Sequence, residues 1–160
     1  MTFAEASAGD VATVEALLGR SARGRFAVVV RRSDGRPVVI ENEPHLRDGT
    51  PMPTLFWLVD AELREAVSRL ESAGGVKQLE ARVDPDELAA THARYAERRR
   101  RATVRDDVVG ATGGVGGTRR GVKCLHAHLA HHLAGGVDPV GALVAEALAL
   151  PDLVTIDARG

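Results

Sequence analysis

The chain has 160 residues, with 21 basic and 22 acidic side chains and a formal net charge of −1, a balance that argues against a general nucleic-acid-binding surface. At 44% hydrophobic and 27% charged residues it is not a disordered chain. One cysteine excludes an internal disulfide and points to a reducing, cytoplasmic compartment.

No apolar run approaches the ~18 residues of a membrane span, and no leader-like pattern opens the chain, so membrane insertion is not expected. The length fits one domain, 1–160, able to bury a core without staples. The basic residues other than Lys77 and Lys123 are all arginines, which together with the Ala, Gly and Val content reads as coding bias. With three Phe, one Trp and one Tyr, the core must be aliphatic.

In chain order, Val11, Val14, Leu17 and Leu18 share one helical face, with Asp10 as a cap and Gly19 as a stop. Phe26–Val30 and Val38–Ile40 flank Ser33-Asp34-Gly35-Arg36, a β-hairpin pattern. The 44–53 stretch carries three prolines and an Asp-Gly turn and predicts a stiff, non-helical loop feeding a third strand at 54–59. Asp60 opens a helix with Leu63, Val67 and Leu70 on one side, ended by Gly74-Gly75.

Asp84-Pro85-Asp86-Glu87 is a helix start, and that helix runs into Arg98–Arg101, a run read as a solvated face. The 110–117 segment is too glycine-rich for a regular element. A helix over 118–134 follows, and Asp138-Pro139 opens a last one before Pro151. Residues 153–156 read as a short strand. Strands early and helices late, without βαβ alternation, predict an α+β fold: a small, mainly antiparallel sheet of three to four strands with helices packed on one face.

The chemically dense stretch is Lys123–Leu133. On a continuous helix Val122, Leu125, Leu129 and Leu133 form the packing stripe, and Cys124, His128 and His131 a second stripe at i, i+4, i+7. Three readings stand beside one another. Thiolate and imidazole suit zinc, with Cys124, His128 and His131 as ligands and Glu43, His45 or Asp48 completing the set. A neighbouring imidazole also suits a cysteine nucleophile. The bland reading is a packed cysteine and structural histidines. Upstream, Gly113–Gly117 leads into Arg119 and Arg120, which suit an anion, although no nucleotide-binding glycine motif is present.

Two segments carry a family resemblance. Leu46-Arg47-Asp48-Gly49-Thr50-Pro51-Met52-Pro53-Thr54-Leu55-Phe56-Trp57-Leu58 and Arg120-Gly121-Val122-Lys123-Cys124-Leu125-His126, with Ala130-His131 after it, resemble the bacterial domain of unknown function 501 family. The resemblance spans about residues 25 to 150. It implies a small cytosolic, mostly actinobacterial protein, and a gene neighbourhood shared with septum-formation-initiator-like and exopolyphosphatase-like proteins. Asp48, Gly49, Thr50, Pro53, Thr54, Lys123, Cys124, His126 and His131 match its pattern, whereas His128 and His132 do not.

The expectation is one site shared by the 43–54 loop and the 118–134 helix, binding a small anionic or phosphorylated ligand. Thr50, Thr54, Arg119, Arg120, Lys123 and His126 would hold it, and Cys124, His131 and Asp48 would act in hydrolysis or group transfer. The rival expectation is a non-enzymatic interaction or regulatory protein, linked to cell division or the envelope.

Overall fold

The computed structural model describes residues 3–52, 54–103 and 113–158; expectations that fall on Pro53 or on 104–112 lie outside these. The elements are α1 (Ala8–Leu18), β1 (Phe26–Arg32), β2 (Pro37–Asn42), β3 (Phe56–Leu58), α2 (Ala61–Ser72), α3 (Gly75–Glu80), α4 (Pro85–Ala102), a 3₁₀ turn (Val115–Gly117), α5 (Leu125–Leu133), α6 (Pro139–Ala147) and β4 (Leu153–Thr155). The sheet is antiparallel throughout, in the order β3-β2-β1-β4, and the fold is α+β.

The hairpin predicted from the apolar runs forms β1 and β2, and Asp34 closes its turn by accepting from the Arg36 amide at 3.1 Å. A bulge shifts the register between Val28, opposite Ile40, and Val30, opposite Val39. One sheet face packs on α2 to α6 through Leu63, Val67, Leu79, Leu88, Tyr95, Leu125, Leu129, Val140 and Val144. On the other face Phe26, Val28 and Ile40 meet Val14 of α1, so this short helix covers the side away from the main helical layer. No helix is long and apolar enough to cross a membrane among the described residues.

Asp60 and Asp84 hold their helices as anticipated, whereas α1 is capped not by Asp10 but by Ser7, which accepts from the Asp10 amide at 3.2 Å. Asp60 accepts from the Leu63 amide at 3.0 Å and Asp84 from those of Asp86 and Glu87. Asp60 also takes a two-pronged ion pair from Arg32, at 2.6 and 2.9 Å, tying α2 to β1.

The helix expected over 118–134 begins at Leu125 instead. Gly116, Gly117 and Gly121 stand at φ of 68°, 82° and 65°, left-handed values that break a helix. Gly121 is also pressed so close to Glu80 that a Cβ there would lie 2.6 Å from the carboxylate.

Nor is the arginine run wholly solvated. Arg99 is 1% exposed and donates to the carbonyls of Met52 and Gly113, stitching the 43–54 loop to the glycine segment. Tyr95, also fully buried, accepts from the amides of Leu55 (2.7 Å) and Phe56 (3.3 Å), fixing the start of β3; burial pushes its hydroxyl up to about 12.

Burial alone would raise the Asp60 carboxyl, but the hydrogen bond from Arg32 and the Leu63 amide outweigh it and hold the group below its usual range. A carboxylate depressed in the folded state contributes stability above its unfolded value of about 3.9, and loses it as pH falls through the folded value. Asp60→Asn is therefore expected to cost about 2–3 kcal/mol in urea unfolding near neutral pH. The gap from wild type should narrow in acid; a gap unchanged across that titration would contradict the assignment.

Candidate functional site

Of the residues singled out in the sequence, Thr54, Lys123, Cys124 and His126 come together on one cleft of about 680 Å³. Its walls are the end of the 43–54 loop and β3 (Thr54, Phe56, Trp57, Leu58), α2 (Ala61, Arg64, Glu65, Ser68), the 3₁₀ turn (Gly116) and the start of α5. Leu18 and Arg20 close one side, with the Arg20 guanidinium 4.8 Å above the Trp57 ring.

The chemistry of the cleft follows from where α5 begins. Cys124 is its N-cap residue, with extended backbone (φ −150°, ψ 122°), so its side chain leaves the helical face on which His128 and His131 lie. Within a helix, residues i and i+2 diverge; with Cys124 extended, its sulfur reaches His126 Nδ1 at 3.7 Å. The same Nδ1 lies 2.8 Å from Glu71 Oε1. The other carboxylate oxygen, Oε2, accepts from the Leu125 amide at 3.2 Å. His126 Nε2 faces the Arg64 carbonyl at 3.1 Å and the Ser68 hydroxyl at 3.2 Å.

His126 thus has acceptors at both ring nitrogens, an arrangement that favours the imidazolium. Its contact with Cys124 raises its pKa, burial lowers it, the Arg64 carbonyl and Glu71 add to the rise, and the net shift is upward. At Cys124 burial acts to raise the thiol, while the hydrogen bond to His126 and its charge lower it, leaving the thiol below its ordinary range. Three cations, Arg20, Arg64 and Lys123, line the same cleft, and none has a carboxylate partner among the described residues.

The other expected residues lie elsewhere. Asp48 and Thr50 are exposed and bond each other, the carboxylate accepting from the Thr50 amide at 2.9 Å in a turn tied off by the His45–Pro51 bridge. That backbone bond is the main reason the Asp48 carboxyl sits below its usual range. Arg119 lines a separate groove against α4, and Arg120 is exposed.

His128 and His131, expected as zinc ligands with Cys124, do not converge on it. Both are buried and direct Nδ1 at Asp138, at 2.8–2.9 Å and 2.9 Å. Asp138 also caps α6 through the Gly141 amide at 2.8 Å. Burial opposes this charge, and the bonds from His128 and His131 overcome it, holding the carboxyl far below its ordinary range. His131 packs between Tyr95 and Phe56, a residue of the cleft wall, so this buried network sets the surface on which the cleft is built.

Glu71, Arg64, Ser68, Arg20 and Trp57 were not singled out from the sequence. A signal existed for three of them: Arg64, Ser68 and Glu71 follow one another at i, i+4, i+7, one step round α2 from the Leu63/Val67/Leu70 stripe.

Removing Asp138 leaves two buried imidazoles without their shared acceptor and uncaps α6. Asp138→Ala is expected to cost about 3–5 kcal/mol in equilibrium unfolding. A loss below about 1 kcal/mol would mean that the two histidines bind each other's surroundings rather than this carboxylate.

No curated protein and no solved structure matches this chain. The family model described as a protein of unknown function, DUF501, matches residues 28–146, a span that contains the loop, β3, α2 and the whole of α5. The chain belongs to the DUF501 family.

Proposed function

We propose that this protein binds a small anionic molecule, phosphorylated or carboxylated, in the cleft between β3, α2 and the start of α5, and acts on it by hydrolysis or group transfer. The observation that carries this reading is the coincidence, in one cleft of about 680 Å³, of three cations without carboxylate partners among the described residues and a cysteine–histidine pair. Lys123, Arg20 and Arg64 hold the anion, and Cys124 and His126, with Glu71 behind them, form the reacting centre. Phe56, Trp57 and Leu58 give the ligand an apolar surface, so a molecule with a flat or aliphatic part beside its charged group fits better than a bare ion. Thr54, at the end of the loop, offers a hydroxyl to the same space.

Asp48 and His131 have no part in this reading. The first bonds its own turn and the second is buried on Asp138, and neither lines the cleft.

Pyrophosphate is a suitable first probe because it presents several anionic oxygens without assuming an organic part. It is expected to raise the melting temperature of the wild-type protein, with an affinity that falls as salt rises. Lys123→Gln removes an exposed cation that makes no bond among the described residues, and should weaken binding by about 10-fold without changing the melting temperature of the free protein. Unchanged affinity in that variant would place the anion elsewhere. No response to pyrophosphate or to a panel of phosphorylated and carboxylated aromatics would favour a protein-contact role instead.

A further inference from the structure

We propose that Glu71, Cys124 and His126 form an open three-ligand site for a divalent transition metal of the zinc type in the wall of the cleft. Glu71 Oε, Cys124 Sγ and His126 Nδ1 lie within 4.8 Å of one another, and no other such group of three occurs among the described residues. Carboxylate, thiolate and imidazole together are a donor set that zinc accepts.

The orientation of the ligands supports this more than their proximity. Each of the two multidentate side chains has its second polar atom held by main chain. His126 Nε2 donates to the Arg64 carbonyl, and Glu71 Oε2 accepts from the Leu125 amide. What remains, Nδ1 on one and Oε1 on the other, lies beside the sulfur, with Nδ1 3.7 Å from Sγ and 2.8 Å from Oε1. Outer contacts of this kind fix tautomer and direction at metal-binding histidines and carboxylates.

The spacing is close to what an ion requires. Around a tetrahedral zinc, with bonds of about 2.3 Å to sulfur and about 2.0–2.1 Å to nitrogen and oxygen, S···N separations come to roughly 3.6 Å and N···O to roughly 3.3 Å. The observed Sγ···Nδ1 distance is 3.7 Å. The Nδ1···Oε1 distance is 2.8 Å, an ion-pair contact closer than the two atoms would stand around an ion. An entering cation is held by the deprotonated ring nitrogen and thiolate, and the carboxylate then moves out by about half an ångström.

Cys124 and His126 line the cleft whereas Glu71 stands behind them, so a bound ion meets the cleft on the side away from Glu71. Three protein ligands with one position facing a ligand cavity is the pattern of a catalytic rather than a structural zinc. Lys123 lines the same cleft, so an anionic oxygen could be held by the ion and the ammonium together. The expected zinc is thereby kept, but with Glu71 and His126 in place of His128 and His131.

The inference rests on reading the cleft as a ligand site, and cobalt titration separates the two. The full, tag-free, metal-free chain is titrated with Co²⁺ while absorbance and released protons are followed. One equivalent should bind with a thiolate-to-cobalt charge-transfer band in the near ultraviolet, the visible bands of a four-coordinate ion, and release of protons. The near-ultraviolet band should vanish in Cys124→Ser. Affinity should fall at least about 10-fold in Glu71→Gln and in His126→Gln, and stay unchanged in His132→Gln. If Cys124→Ser does not fold, blocking the thiol of the native wild type with a methylthio group serves the same purpose.

No saturable band in the wild type, or a band that forms with undiminished affinity in both Glu71→Gln and His126→Gln, would overturn the site. Pyrophosphate binding to the metal-free chain is scored separately. Binding without a cobalt band defeats the metal site alone, and a cobalt band without any pyrophosphate response defeats the anion reading alone.

Discussion

One carboxylate organises the region that carries the chemistry. Glu71, near the end of α2, accepts from the Leu125 amide on one oxygen and stands 2.8 Å from His126 Nδ1 with the other. It thereby satisfies a main-chain donor that the first turn of α5 leaves without an intrahelical partner, and places a negative charge at the positive end of that helix, beside an imidazole held by the Arg64 carbonyl. Cys124, just outside the helix, is left with its sulfur beside the same ring. Were α5 to start earlier, Cys124 would be carried round to the side of His128 and the grouping would not exist. The left-handed glycines at 116, 117 and 121 prevent that, and Gly121 lets Glu80 approach and accept from the Val122 amide.

Beneath this site is a second, wholly buried polar system. Asp138 gathers two imidazoles and an amide, Tyr95 accepts from the first amides of β3, and Arg99 ties the 43–54 loop to Gly113. Each group would be costly alone, and each is stabilised by a partner from another element. With few aromatics available, these polar cross-links give the core part of the specificity that large apolar side chains give elsewhere. Histidine therefore plays two roles on one helix: His128 and His131 are pinned in the interior, and His126 faces the cleft.

Much of the scaffold is readable in the amino-acid order because it rests on local rules. The alternation of apolar runs around Asp34-Gly35, and Asp60, Asp84 and Asp138 as caps, each act within a few residues. The chemically dense stretch at 123–133 also stands out by composition. What escapes such reading is long-range or conformational. Helical spacing puts Glu71 on the face of Arg64 and Ser68, but nothing local gives it a partner, since the amide it binds lies more than 50 residues downstream. Arg99 sits among four successive arginines, and only the placement of Met52 and Gly113 distinguishes it. The pairing of Cys124 depends on a single backbone transition one residue before α5, which periodicity over 118–134 conceals.

The cleft, the donor set and the cationic rim form one account: an anion held by Lys123 and its neighbours beside an ion held by Glu71, Cys124 and His126. X-ray absorption at the zinc edge, on the wild-type chain loaded with one equivalent of zinc, tests it most directly. The account predicts one sulfur at about 2.3 Å and two or three nitrogen or oxygen neighbours at about 2.0–2.1 Å. A first shell without sulfur, or failure of the chain to retain zinc at all, would contradict it.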